Sequence, residues 1–373
     1  PARVVSDAAG PGQPPGDAAA GWSRRAFLAR SALVAVGAVG LAGAGRLLLG
    51  TRQRVEAARE TLRLRLRPPN PPAGVRVDVA GVEPWLTPNA DFYRIDTALG
   101  VPQVLPAEWR LRIHGMVERE VVLTYDDLLR RDLVEAWITL CCVSNEVGGS
   151  LIGNARWTGV RVADVLAEAG VRPGADAVLS TSADGWTAGT PIQALTDERA
   201  ALLAVGMNGQ PLPIEHGFPV RMVVPGLYGF VSATKWVVDL EVSRFADFSA
   251  YWTERGWSER GPIKTQSRID VPPAGATVRA GHVAVGGTAW AQHTGVAAVE
   301  VRIDDGPWQR ARLAAVPNVD TWRQWAYGWD ATPGQHRISV RATDADGQTQ
   351  TGEETGVIPD GATGWHTVSV TVS

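Results

Sequence analysis

The sequence predicts an α+β protein: a mixed α/β part over residues 76–262, then an all-β sandwich over 263–373, behind an N-terminal export or membrane segment. Three observations predict this. Hydrophobic periodicity changes near Ile263, from mixed helical and strand patterns to short alternating runs only. A short apolar run directly follows a pair of arginines near the N-terminus. The 373 residues are 45% hydrophobic and 20% charged, enough for two domains with large cores and too apolar for a disordered chain.

In chain order, residues 1–22 are Pro-, Gly- and Ala-rich with little to bury, and read as a flexible linker. Ser23-Arg24-Arg25-Ala26-Phe27-Leu28 has the pattern of a twin-arginine export signal. The apolar stretch up to Leu49 is just long enough to cross a bilayer if Arg30 and Arg46 snorkel. Residues 23–49 are therefore expected to be a signal or a transmembrane helix, and flanking arginines at both ends leave orientation open. Residues 50–75 form an Arg-rich spacer ending in Pro68-Pro69-Asn70-Pro71-Pro72.

Within 76–262, residues 109–117 alternate like a strand. Thr124 stands where a helix cap belongs, before Tyr125 to Leu129. Val162, Val165, Leu166 and Ala169 share one helical face, and Gly170 is placed to end that helix. After Ile263, residues 282–291, 296–303, 336–343 and 365–372 alternate, with Asp305-Gly306 and Asp346-Gly347 at turn positions. That texture predicts an immunoglobulin-like sandwich without its cysteine pair.

Charge and cysteine content narrow the chemistry. A net charge of −3 gives no electrostatic footprint for nucleic acid. Of 36 basic residues only Lys235 and Lys264 are lysines. The two cysteines, Cys141 and Cys142, are adjacent, which excludes a disulfide framework and any four-cysteine metal site. Trp137 to Cys142 reads as a buried strand, with Ile138, Leu140 and Cys142 on one face and Cys141 on the other. It runs into a polar loop containing Ser144, Asn145, Gly148 and Gly149. An unpaired cysteine on an apolar strand is most often small core filler. The alternatives are a nucleophile, for which no Cys/His protease signature is present, or a single thiolate ligand to a metal carried by an organic cofactor.

The stretch Cys142-Val-Ser-Asn145, with Gly148-Gly149 and Gly153-Asn154-Ala155-Arg156-Trp157-Thr158-Gly159-Val160, resembles the molybdenum-cofactor core of the sulfite oxidase family. Four further stretches agree in family order. They are Asn89 to Arg94, Ser182 to Thr187, Glu215 to Arg221, and Val224 to Gly229 leading to Ser232 and Lys235-Trp236. Residues 263–373 are similar to that family's dimerisation domain.

The resemblance implies a two-electron oxidoreductase with one molybdenum on a molybdopterin dithiolene. Cys142 would be the protein ligand to the metal, and Cys142 with Arg94 the catalytic pair. Asn89, Tyr93, Arg94, Cys142, Ser182, His216, Arg221, Ser232 and Lys235 would bind the cofactor, the cations Arg221 and Lys235 suiting its phosphate. Each has a plainer reading: Tyr93 as core, Asn89 as a turn residue, His216 as a loop support.

No haem stretch accompanies the pattern, so electrons would leave to a separate partner, which a membrane could house. A homodimer through the sandwich is also implied. The substrate would be a small molecule. Sulfite is disfavoured, because Glu146 and Val147 stand where sulfite oxidases carry an arginine, and Val205 where they carry a tyrosine. Two alternatives remain: a sulfite dehydrogenase using other arginines, Arg156 and Arg161 being candidates, and an exported binding protein that has lost its cofactor.

Overall fold

Strands are the main regular elements of the chain, and the computed structural model describes residues 50–62, 64 and 66–373. The expected linker (1–22) and export segment (23–49) lie outside the described residues. Among those residues no helix is long and apolar enough to cross a membrane. Helix α1 is described over 50–61. Its Val55 is buried among Trp157, Leu212 and Phe218, and its Arg59 donates to the Leu212 and Pro211 carbonyls at 2.7 and 2.9 Å.

Two sheets form the first part. One has the order β2-β1-β10-β5-β6, with β1 (Arg110–Gly115), β2 (Val121–Thr124), β5 (Ala177–Ser182), β6 (Thr187–Pro191) and β10 (Val237–Ser243). Only β1 and β10 run parallel. The other has the order β3-β4-β7-β8, from β3 (Val134–Cys141), β4 (Ile152–Arg161), β7 (Leu202–Met207) and β8 (Gln210–Pro211), with β9 (Arg221–Val223) paired to β7.

The helices of this part are short. In α2 (Tyr125–Leu129), Thr124 and Asp127 form a reciprocal capping box. In α3 (Val162–Ala169) the four predicted positions are the buried ones, and Gly170 ends the helix at φ 71°. Helix α4 spans Ile192–Thr196. The mixed α/β expectation therefore needs correction in its balance. Strands carry the part, because most helical runs are only one or two turns long and their apolar faces cover sheets rather than one another.

From Gln266 the chain forms two facing sheets. One is β11-β13-β17-β16, from β11 (Gln266–Val271), β13 (Gly281–Trp290), β16 (Arg312–Leu313) and β17 (Arg323–Ala331). Its partner is β12-β19-β18-β14-β15, from β12 (Thr277–Val278), β14 (Val296–Ile303), β15 (Gln309–Arg310), β18 (Gly334–Asp344) and β19 (His366–Val372). Their inner faces meet around Val285, Trp325, Val340 and Val370.

The two parts interlock. Trp85 and Trp322 donate their indole N–H groups to each other's carbonyl oxygens at 3.3 and 2.8 Å. On β3, Thr139 donates its N–H to Asp320 at 3.0 Å, and its hydroxyl accepts from the Trp322 N–H at 2.8 Å. Residues 54–373 consequently cohere as one unit.

Candidate active site

Strand β3 carries the two cysteines to different fates. Ile138 and Leu140 point into the core around Trp157, whereas Cys141 is 1% exposed in the core around Trp85 and Trp290. Cys142 lies one residue beyond the strand. Its N–H donates to the Leu151 carbonyl at 2.9 Å, and its carbonyl accepts from the Asn145 N–H at 3.0 Å, so the chain turns there. The Asn145 carboxamide oxygen accepts from the Leu151 N–H at 2.8 Å and closes the loop. At the turn, the Cys142 thiol faces a cavity instead of a core. Burial raises its pKa, against the lowering effect of hydrogen bonds from Ser144 and the charge of Lys235. A soft metal would reverse that preference by taking the thiolate.

The cavity has about 860 Å³ of free space, its open mouth included. Tyr93, Cys142, Ser182, Arg221 and Lys235 line it, so five of the nine sequence-predicted binding residues converge from segments far apart in the chain. Arg221 opens β9 and is 4% exposed. Its guanidinium donates to the carbonyls of Met222, His216 and Ala233 at 3.1 to 3.3 Å, and no carboxylate pairs with it among the described residues. Burial lowers its pKa to about 10. Lys235 is held at Asp96 (3.0 Å) and the Ile95 carbonyl (3.1 Å), and burial together with the nearby Arg221 charge lowers its pKa to about 8. The Ser182 hydroxyl is buried without a partner. A buried guanidinium without a carboxylate and an orphaned hydroxyl on one cavity fit an anionic cofactor with polar edges.

The other four predicted residues lie outside this lining. Arg94 has a side chain 41% exposed and pairs at 2.9 Å with Asp96, which does line the cavity. Asn89 donates to the Met207 carbonyl and accepts from Asn208, joining two loops. His216 sits behind Arg221: its Nε2 is 3.1 Å from the Asn89 carbonyl, and its ring meets Phe92 edge-on at 5.7 Å. Burial and the Arg221 charge lower its pKa to about 4, so it is neutral, and its buried Nδ1 has no partner. The Ser232 hydroxyl is 2.9 Å from the Tyr228 carbonyl and locks its own turn.

Of the residues weighed for substrate choice, Glu146 is exposed and Val205 is fully buried in β7; neither lines the cavity. Nor do Arg156 and Arg161. Arg156 pairs with Glu135, and Arg161 reaches the Glu198 and Arg199 carbonyls.

The sequence reading missed Asp96, Phe230, Trp252 and Trp257, all of which line the cavity. The aromatic run Tyr251-Trp252 to Trp257, in a segment with no strand or long helix, is the signal that would have found two of them.

The second part of the molecule also reaches this site. Arg268 on β11 donates to the Gly149 carbonyl at 2.9 Å and pairs with Asp270 at 2.6 Å. The His366 ring lies against Gly148, where a Cβ would come within 2.3 Å of it. The loop after Cys142 is thus clamped from the sandwich side.

Comparison with known proteins gives consistent results. A family model described as an oxidoreductase molybdopterin binding domain matches residues 98–252. The mitochondrial sulfite oxidase of Mus musculus is 32% identical over 307 residues, covering 69% of this chain and 55% of that protein. The sulfite oxidase of Gallus gallus is 31% identical, covering 67% and 63%. The chain spans little more than half the length of the mammalian relatives. The crystal structure of the sulfane dehydrogenase SoxCD from Paracoccus pantotrophus superposes with a TM-score of 0.62 at 24% identity, covering 72% of this chain and 75% of that one, a likeness of fold.

Proposed function

This chain carries a molybdopterin-binding oxidoreductase domain of the sulfite oxidase family, and we propose that it is a molybdenum-dependent oxidoreductase acting by two-electron oxygen-atom transfer on a small molecule other than sulfite. One observation carries the proposal: Cys142, Ser182, Arg221 and Lys235 meet at one cavity. Molybdopterin, when bound, supplies the two-electron redox chemistry and the oxygen exchange.

The chain's residues do the rest. The Cys142 thiolate would hold the metal. Arg221 and Lys235 would hold the cofactor's phosphate, and the Ser182 hydroxyl one of its polar edges. Phe92, stacked on Tyr93 at 5.3 Å, lines the same cavity. The departure of Arg156 and Arg161 from the cavity, with Arg94 turned to Asp96, counts against the sulfite dehydrogenase alternative.

The proposal extends to cell biology. An exported protein tethered at the outer face of the membrane by residues 23–49, passing electrons to a membrane-bound partner and dimerising through residues 263–373, fits the arginine pair and the Pro-rich spacer. Cell fractionation and light scattering of the detergent-solubilised chain test these points.

Metal and pterin analysis of protein from a cofactor-competent host tests the function. About one molybdenum per chain is expected in the wild type, and Cys142→Ser, which lacks the protein thiolate, should lose activity. Wild-type protein without molybdenum and pterin would leave the cofactor-free binding protein as the better reading.

A further inference from the structure

Charge around the cavity is balanced before any substrate enters. Its lining holds two cations, Arg221 and Lys235, and two carboxylates, Asp96 and Asp184. Lys235 is already paired with Asp96, and the Arg221 fork is engaged by three carbonyls. Once a cofactor phosphate draws on these two cations, no further cation among the lining residues remains for a second anion. Asp96 is itself matched by Arg94 and Lys235, so a small dianion would face Asp184 with no unpaired cation in the lining.

The remaining wall is apolar and aromatic. Phe230 and Trp257 lie 5.9 Å apart, and Trp252 and Trp257 lie 6.1 Å apart, edge to face, while Trp186 adds a fourth ring. The segment that bears the two tryptophans is anchored: the Tyr251 N–H donates to Thr187 at 3.1 Å, and the Trp257 N–H to the Trp252 carbonyl at 3.2 Å. Trp252 and Trp257 are part-buried: they pack against the core of the first part and also line the cavity. Part-buried indoles that line a cavity are a contact surface for an apolar ligand, with an N–H available to a neutral oxygen.

We infer that the cavity takes an uncharged organic substrate bearing an aromatic or alkyl group, and that Trp252 and Trp257 determine this specificity. The inference rests on the proposed function for the identity of the cavity and goes beyond it in naming the substrate class. Neutral sulfoxides are of this class, and methyl phenyl sulfoxide is the simplest aromatic probe.

The test is calorimetric titration of the full chain, loaded with molybdenum, with methyl phenyl sulfoxide and with sulfite. The sulfoxide is expected to bind and sulfite to show no saturable heat. Trp257→Ala should weaken sulfoxide binding about tenfold or more at unchanged molybdenum content, and Trp257→Phe should retain most of it. Loaded protein that binds sulfite more tightly than the sulfoxide overturns the inference. So does Trp257→Ala binding the sulfoxide as tightly as the wild type, or losing molybdenum, which would assign the ring to cofactor retention. Wild-type protein isolated without molybdenum overturns the proposed function instead, so the two failures are separable.

Discussion

At the scale of the residue, Cys141 and Cys142 share a peptide bond but not an environment. Cys141 completes a strand and is packed in a core; Cys142 stands past the strand end with its thiol toward the cavity. Substitution should therefore be asymmetric. Cys142→Ser should abolish activity while the melting temperature changes little. Cys141→Ala should cost about 1 kcal/mol of stability by leaving a small void, with molybdenum content unchanged. Equal loss of activity from both variants would contradict the assignment. The alternation of apolar residues along β3 made this difference legible in advance, because strand periodicity is local. The engagement of Arg94 by Asp96 was not legible. Asp96, two residues on, pairs with Arg94 and Lys235 together. No local pattern distinguishes that ion pair from a substrate-binding arginine.

At the scale of the element, the loop between β3 and β4 is held from both sides. Gly148 has φ 77° and touches the His366 ring, so Gly148→Ala meets both a strained backbone and a steric clash. A loss of about 2 kcal/mol is expected, read as a lowered melting temperature together with reduced molybdenum retention. His366 accepts from the Ile269 N–H at 2.9 Å, which requires a neutral ring. Burial and the Arg268 charge lower its pKa from 6.5 to about 4. The unfolded chain thus binds a proton between these values that the folded chain refuses. This contribution to stability is complete above the unfolded pKa and is lost as pH falls through the window toward about 4. Urea melts at pH 7.5 and 5 should show the wild type weaker at pH 5, and His366→Asn less dependent on pH. Part of the slope should persist, because His216 is also lowered to about 4. Helix caps at Thr124 and Gly170 were readable from sequence, since capping involves neighbours three or four residues apart. The clamp on Gly148 joins positions more than 200 residues apart, and no spacing rule reports it.

At the scale of the molecule, the change of pattern near Ile263 marks a change of sheet system without a break in the folded unit. Trp85, Thr139 and Trp322 tie the two systems through buried hydrogen bonds, and Trp290 and Trp322 belong to the core of the first part. Trp322→Ala should remove about 3–5 kcal/mol, and calorimetry should show one transition moving down rather than a split into two. Two well-separated transitions in the wild type would contradict this. The same packing places Arg268 and His366 against the loop that follows the proposed metal ligand, so damage to the sandwich should reach the site.

The sequence by itself determined the strand and helix patterns, the shift to an all-β texture near Ile263, and the family motifs that single out Cys142, Arg221 and Lys235. These signals are local or carried by contiguous motifs. Only the tertiary structure decided which polar residues converge on the cavity, that Arg94, Asn89, His216 and Ser232 stand outside its lining, and that Trp252 and Trp257 complete it. Convergence depends on how sheets pack and where loops close. Those outcomes arise from burial and hydrogen bonding summed over distant segments, and no short window of sequence contains them.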